Sequence, residues 1–353
     1  MRNTLVATLC AVSLFALLPA CKKAEQPAAS NPPAERPAAT AAESKEGTPA
    51  KAAGDQAQAV TLKIRWPLGN RYVYRMDLDQ HSTNTIPQMP KPIQQDVAMA
   101  MTYALTVAAE TPAGGRELEM EFLANEMEIK MGEQVMMSFD SKEAPKNESQ
   151  NPFATPFRKM IGSKLRLQLD AEGKVDKLVG FEEWQNNLAG DGGGAAKMIL
   201  SQQFGEDYFR QIADFSRGLP PKPVTIGDTW PLKLDLPAGP MGKININATV
   251  MHKGFEDQDG HRCAVLDSVG TLKGGSAGGG PTGKMNIEQG KLNGTTWFDP
   301  ELGAMINSSS EQHMRIKGEM PGPQGGGSQF TSDIAQKVSL KLVELTKADK
   351  EAK

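Results

Sequence analysis

Polar and apolar residues alternate with a period of two along most of this chain, and that pattern limits its fold more than any other feature. Leu118, Met120 and Phe122 interleave with Glu117, Glu119 and Glu121. Tyr72, Tyr74, Met76 and Leu78 interleave with Arg71, Arg75, Asp77 and Asp79, and Val97, Met99, Met101, Tyr103, Leu105 and Val107 repeat the rhythm. Side chains of a strand point alternately to opposite faces, so each run reads as a strand with one buried and one wet face. The same reading places strands at 60–66, 71–83, 96–109, 116–130, 134–139, 164–169 and 174–179. A second set is expected at 242–253, 261–270, 283–292, 294–298, 304–317 and 330–345. Gly, Pro, Asn and Asp clusters separate these runs, as short antiparallel connections require. The expected fold is mainly β: antiparallel meanders forming a large curved sheet or two packed sheets.

The period changes only near the middle, where one helical segment is expected at about 181–217. Phe181 to Leu188 reads as a short helix and Ala195 to Phe215 as a long one, with Ile199, Phe204, Tyr208, Ile212 and Phe215 on one apolar stripe. Arg217-Gly218 ends it, and prolines 220, 221 and 223 make an extended connector. Two β-rich halves, 58–218 and 219–348, are expected to form one compact unit. An echo links them. Leu169-Asp170-Ala171-Glu172-Gly173-Lys174-Val175 and Phe298-Asp299-Pro300-Glu301-Leu302-Gly303-Ala304-Met305 each set an apolar-Asp pair before an acidic turn.

The N-terminus has a different logic. Residues 1–20 combine a positive start at Arg2 with an apolar run from Leu5 to Leu18, the build of a signal peptide. The run is too short for a good permanent membrane helix. Leu18-Pro19-Ala20-Cys21 resembles the lipobox of bacterial lipoproteins. The resemblance implies cleavage after Ala20, diacylation of the Cys21 sulfur (a palmitate-type modification) and acylation of the new N-terminus. Several acyl chains anchor stably where one is marginal. Lys22 rather than Asp follows Cys21, which by the same resemblance implies the outer membrane, facing the periplasm. Residues 22–57 are Ala, Pro, Glu, Lys, Gln and Ser, too poor in apolar surface to offset the entropy of ordering. They read as a tether.

Chemistry is scarce. The net charge of −3 argues against nucleic acid as a partner. Cys10 leaves with the signal and Cys21 carries lipid, so Cys263 is the one thiol of the mature fold, expected as a small buried hydrophobe. His81, His252, His261 and His313 show no metal-ligand spacing; His252 and His261 flank an expected hairpin at 254–260 and are placed to face each other. Ser308-Ser309-Ser310 reads as a solvated strand face, and Glu117, Glu119 and Glu121 as a wet exterior. The glycine runs at 192–194, 274–279 and 325–327 lack the ending of a phosphate loop. Met99, Met101, Met120, Met127, Met131, Met136 and Met137 suit an irregular core or an adaptable apolar groove. Cys21 is the one assigned site, for lipidation; no residue is assigned a catalytic, cofactor-binding or metal role.

Three stretches together carry a wider resemblance: the opening from Leu62 to Tyr74, Leu219-Pro220-Pro221-Lys222-Pro223-Val224-Thr225-Ile226-Gly227-Asp228-Thr229-Trp230, and Phe298-Asp299 with Gly303. With the lipobox and tether, they resemble a group of uncharacterised bacterial envelope lipoproteins. That resemblance implies an envelope location and a β-rich fold, and no reaction. The expected function is therefore a non-enzymatic membrane-anchored lipoprotein, held in the bilayer by acylated Cys21, that binds a hydrophobic ligand or an envelope partner. Two alternatives stand beside it: an envelope-polymer hydrolase using carboxylates in a cleft, and an assembly lipoprotein with no small ligand.

Overall fold

A computed structural model describes residues 58–87, 89–144, 154–189, 205–237, 243–275, 284–321 and 327–347. The lipobox, Cys21, the tether, the 192–194 run and the expected helical residues 195–204 lie outside these. The described chain is mainly β and antiparallel, with a minority of helix. Its strands are β1 (Asn70–Thr85), β2 (Ile93–Glu110), β3 (Arg116–Met131), β4 (Gln134–Asp140), β5 (Lys164–Leu169), β6 (Val175–Val179), β7 (Thr229–Pro237), β8 (Lys243–Gln258), β9 (His261–Gly275), β10 (Lys284–Asp299), β11 (Ala304–Pro321) and β12 (Gly327–Lys347). Three helices lie between β4 and β7: α1 (Ala154–Met160), α2 (Phe181–Ala189) and α3 (Glu206–Ala213). Among the described residues, no helix is long and apolar enough to cross a membrane.

All the strands belong to one 12-stranded sheet in the order β6-β5-β3-β2-β1-β12-β11-β10-β9-β8-β7, with β4 beside β3. Two meanders run in the same direction across it, and β12 returns between their first and last strands. The echoed Asp turns occupy corresponding steps, β5 to β6 and β10 to β11. In the first, Asp170 Oδ1 accepts the N–H groups of Glu172 and Lys174 at 3.0 and 2.8 Å. In the second, Asp299 Oδ1 accepts those of Glu301 and Leu302 at 2.8 and 2.9 Å. Gly303 closes that turn at φ +70°, and a Cβ there would meet Arg65 Cγ at 2.5 Å. Arg65 in turn donates its backbone N–H to the Gly303 carbonyl.

One face of the sheet is buried throughout, and its apolar residues join the helices in a single core. The sheet curls to achieve this. Ile212, Phe215 and Leu219, around the end of α3, line one small cavity with Leu232 of β7, Val250 of β8, Leu266 of β9, Phe298 of β10 and Met305 of β11. Five strands laid flat span about 19 Å at the usual spacing, so sharing a small cavity requires a concave surface. Phe215 also meets Trp66 and Tyr74, at ring distances of 5.8 and 4.8 Å. On the other flank, Phe209 of α3 packs on Phe122 of β3 and on Trp184 of α2 at 5.8 and 5.1 Å.

Several expected elements take a different form. Residues 60–66 are not a strand: among the described residues no strand runs alongside them, and they are held by the Val60–Val224 bridge, the Arg65–Gly303 bond, a bond from Arg116 to the Trp66 carbonyl and the burial of Leu62, Ile64 and Trp66 in the core. The long helix does not run from 195 to 215. Gly205, with extended backbone (φ −71°, ψ 166°), caps the start of α3, and the helix stops at Ala213. Phe209 rather than Tyr208 is the fully buried aromatic there. The expected strands at 283–292 and 294–298 are one strand, β10. Gly290 and Gly294 sit within it because neighbouring strands press close: a Cβ would meet the Leu272 carbonyl oxygen at 2.4 Å and Ser268 Oγ at 2.9 Å respectively.

Candidate functional site

The concave face carries an apolar lining with a polar belt running through it. Cross-strand register builds the belt. Gln80 of β1 lies opposite Gln336 of β12, and Gln336 lies opposite Gln312 of β11. These glutamines form one transverse row across the three central strands, all in phase with the buried residues of their strands. Along β11 the belt continues through Ser310 and Ser308, the latter 3.1 Å from Thr296 of β10. In the other direction it runs through Ser82 and Asn84 of β1, Gln95 of β2 and Ser332 of β12. Gln80, Ser82, Asn84, Gln95, Ser308, Gln312, Ser332 and Gln336 are all buried. Ser308 and Ser310 therefore correct the expectation of a solvated face. Two residues apart on a strand, they share a side, and that side faces the core.

What sets the belt apart is its unmet hydrogen bonding. Gln336 donates to Gln80 at 3.3 Å, but its own Oε1 accepts no hydrogen bond among the described residues. Neither amide atom of Gln312 finds a partner among the described residues, although the residue is 0% exposed. The hydroxyls of Ser310 and Ser332 are also buried and unpartnered. A buried amide or hydroxyl normally finds a partner, and leaving one without costs roughly 1–3 kcal/mol. Apolar side chains flank the row on both sides, Leu78, Met99 and Val338 on one and Met314 and Ile334 on the other, and Val97, opposite Gln80, ends it on β2. The cavity beneath the end of α3, about 50 Å³, opens beside the Ser268 and Thr296 end of the belt. Arg217 also lines that cavity; its guanidinium pairs with Asp214 at 3.0 Å, and both are nearly buried.

On the convex face lies a shallow groove of about 510 Å³ over β3, β2, β1, β12 and β11. Ala98 and Ala335 leave its floor open, and Asp79, Asp96, Glu128, Glu311, Lys130 and Lys337 surround it. His81 Nδ1 sits 2.6 Å from Asp96 Oδ1 there, and both side chains are about half exposed. His313 lies two strands from His81 in the same transverse row, with Ala335 between them. No serine, threonine or cysteine lines this groove. His261 takes a second carboxylate, Asp299, at 2.8 Å, and Asp299 also accepts the turn N–H groups described above.

His252 and His261 do not face each other. The turn at their hairpin is Asp259-Gly260, so His261 lies opposite Gln258 and His252 opposite Leu266. His252 is buried, and burial pushes its pKa down. Among the described residues, no group of three or more His, Cys, Asp or Glu side chains is placed to hold a metal. Cys263 is free and fully buried; burial, then the carboxylates of Asp299, Asp257 and Asp259, pushes its thiol up to about 12. Glu119 and Glu121 lie on the convex face and pair with Lys164 and Arg71. Met99, Met101, Met120 and Met127 are buried in the core, whereas Met136 on β4 is exposed.

The phase of the belt residues was the available signal. Gln80 stands two after Leu78, Gln336 two before Val338, and Gln312 two before Met314, so each falls on the apolar half of its strand's alternation. β11 and β12 follow one another in the chain, but nothing in the sequence indicates that β12 also neighbours β1.

Three solved structures show the range of resemblance. A chain from a study of lipid–protein interactions in lipovitellin is 12% identical, with 82% of this chain and 26% of that one covered and a TM-score of 0.46. This chain thus spans about a quarter of the lipovitellin chain. DynF, from the dynemicin biosynthesis pathway of Micromonospora chersina, is 7% identical over 83% and 92% of the two chains, with a TM-score of 0.20. An outer membrane channel from Pseudomonas putida F1 is 8% identical over 82% and 99%, also with a TM-score of 0.20. All three TM-scores fall below the level that marks a shared fold. No curated protein matches the chain. A family description does match: residues 114–301, from the turn before β3 through the Asp299 turn after β10, fit a family of unknown function. That match spans more than half of the sequence, and the chain belongs to this family, DUF6263.

Proposed function

We propose that this chain is a lipid-anchored bacterial envelope protein whose concave sheet binds an apolar ligand through the ligand's polar end. The observation that carries the binding reading is the row Gln80-Gln336-Gln312 with its unmet amide atoms in an apolar surround. A purely structural core at these positions would be better served by leucine or methionine, since the unpaired amide atoms lower stability. A ligand that supplies donors and acceptors would satisfy them. The methionines of the core give the wall the adaptability that a variable apolar body needs.

The anchoring part rests on Leu18-Pro19-Ala20-Cys21 and the tether after it. Acylated Cys21 would hold the protein on the outer membrane while residues 22–57 let the domain stand off the lipid surface. Replacing Cys21 with Ser is expected to abolish labelling by an alkyne fatty acid and move the protein from the membrane to the soluble fraction. Retention of the variant in the membrane would overturn the anchoring reading. The binding reading is tested by native mass spectrometry of the unacylated mature chain purified from its own host. A bound apolar species that organic extraction removes is expected; a clean apo protein that takes up no ligand from an added lipid extract would refute it.

The hydrolase alternative draws on one observation, the His81–Asp96 pair in the convex groove. A dyad of this kind orients a general base. The carboxylates of Asp79, Glu128 and Glu311 line the same groove, but it is shallow and the His81 and Asp96 side chains are about half exposed, so no water-excluding cleft surrounds them and the concave belt carries the stronger reading.

A further inference from the structure

We infer that the ligand of the concave face is uncharged at its polar end: a long-chain alcohol, an acylglycerol or a compound of like chemistry, not a fatty acid anion or a phospholipid. This deepens the binding reading above and rests on it. The reason lies in the kind of polar groups the belt contains. Its members are amides and hydroxyls. Among the described residues, no lysine or arginine is buried in the core. The guanidinium at the cavity beneath α3, that of Arg217, is already neutralised by Asp214 at 3.0 Å. His252 is on the same face, in one transverse row with Leu266, Thr296 and Ser308, but it stands three strands from β11, packs against Phe255 at 5.1 Å, and burial pushes its pKa down, which favours the neutral imidazole.

A carboxylate or phosphate moved to this row would leave water without a countercharge, a heavy desolvation penalty that hydrogen bonds to amides and hydroxyls do not repay. A hydroxyl, ester or amide has no such penalty and requires only hydrogen bonds. Gln312 offers an unused donor and an unused acceptor, Gln336 an unused acceptor, and Ser310 and Ser332 unused hydroxyls. A ligand hydroxyl can donate to Gln336 Oε1 or Gln312 Oε1 while accepting from Gln312 Nε2. The apolar rows on either side, Leu78 and Val338 above and Met314 and Ile334 below, would take the hydrocarbon. The belt atoms are closed off in this structure, so entry requires the packing over them to part. The cavity between the end of α3 and β7 to β11 marks where that packing is already incomplete.

The test compares probes with one hydrocarbon chain and different heads. Oleyl alcohol, monooleoylglycerol, oleate and dioleoyl phosphatidylglycerol are titrated into the mature chain carrying Cys21→Ser, at a pH where oleate is ionised. The two neutral probes are expected to bind at least about tenfold more tightly than the anions, the scale of one hydrogen bond to a buried group. Gln312→Leu is expected to weaken oleyl alcohol about tenfold; Gln312→Met, closer in shape, serves if the leucine variant does not fold. Anions binding as well as the neutral probes would overturn the inference on charge and leave the apolar-ligand reading standing. Neutral binding unaffected by either substitution would overturn the assignment to the belt. Failure of every probe to bind would overturn both.

Discussion

Gln312 is where stability and the proposed function pull in opposite directions. Its amide is 0% exposed and makes no hydrogen bond among the described residues. In the ligand-free protein, Gln312→Leu is therefore expected to raise stability by about 1–3 kcal/mol, the cost of a buried unpaired polar group. The measurement is the urea midpoint, with an unchanged slope showing that the denatured state is unaffected. A loss of stability would mean that the amide is satisfied in solution and that the belt is ordinary core. The residue scale is also where the sequence was least legible. Ser308 and Ser310 look like a wet strand face because polar residues usually point outward. Their inward direction follows from the phase they share with Gln312, Met314 and Ile316 on β11, which three successive serines do nothing to advertise. The three glutamines of the central row lie outside the 114–301 family match, so that match does not single them out.

At the scale of elements, two of the three sequence signatures, Leu219–Trp230 and Phe298–Gly303, prove to be joints. In the first, Asp228 Oδ2 accepts the Thr225 N–H at 2.7 Å and its hydroxyl at 3.0 Å. Gly227, at φ +91°, donates its N–H to the His252 carbonyl, and the His252 N–H returns a bond to Asp228. Trp230 Nε1 donates to the Gly218 carbonyl at 2.8 Å, tying the connector to β7. Such turn residues are recognisable in a sequence because their chemistry is local. The break in the expected long helix at Gly205 was less so, since a glycine inside an apolar stripe is compatible with a continuous helix. The Asp228 joint makes a pH prediction. Hydrogen bonds from the Thr225 N–H and hydroxyl hold the carboxyl below its ordinary value of 3.8. A carboxyl whose pKa is lowered on folding stabilises the fold fully above its unfolded pKa, and loses that contribution as pH falls through the folded value. Asp228→Asn is thus expected to melt below the parent at neutral pH, with the gap closing as pH drops below 3.8. Thermal melts across that range check it; a gap independent of pH would show that the joint does not depend on ionised Asp228.

The whole molecule is closed by its last strand. β12 pairs with β1 from Asn70–Lys347 to Thr85–Thr331 and with β11 from Asn307–Lys341 to Pro321–Gly327. Among the described residues it is the one strand that joins the two meanders, and it contributes Gln336 to the centre of the belt. Period-two patterning was enough to foresee a large antiparallel β fold with a central helical segment, because each strand advertises its own buried face. It could not show that the end of the chain inserts between strands from opposite halves, since pairing partners leave no trace in a single strand's alternation. That topology has a kinetic consequence. The central pairing waits until β12 is present, and contacts so distant in sequence form slowly. Ending the chain at residue 326 would expose facing edges of β1 and β11 and uncover the apolar side of both meanders. The truncated protein is expected to unfold without a cooperative transition and to be cut throughout by a protease that spares the parent. If one meander instead kept a sharp transition and a protected core, the halves would be independently stable, and β12 would join domains rather than complete a single one.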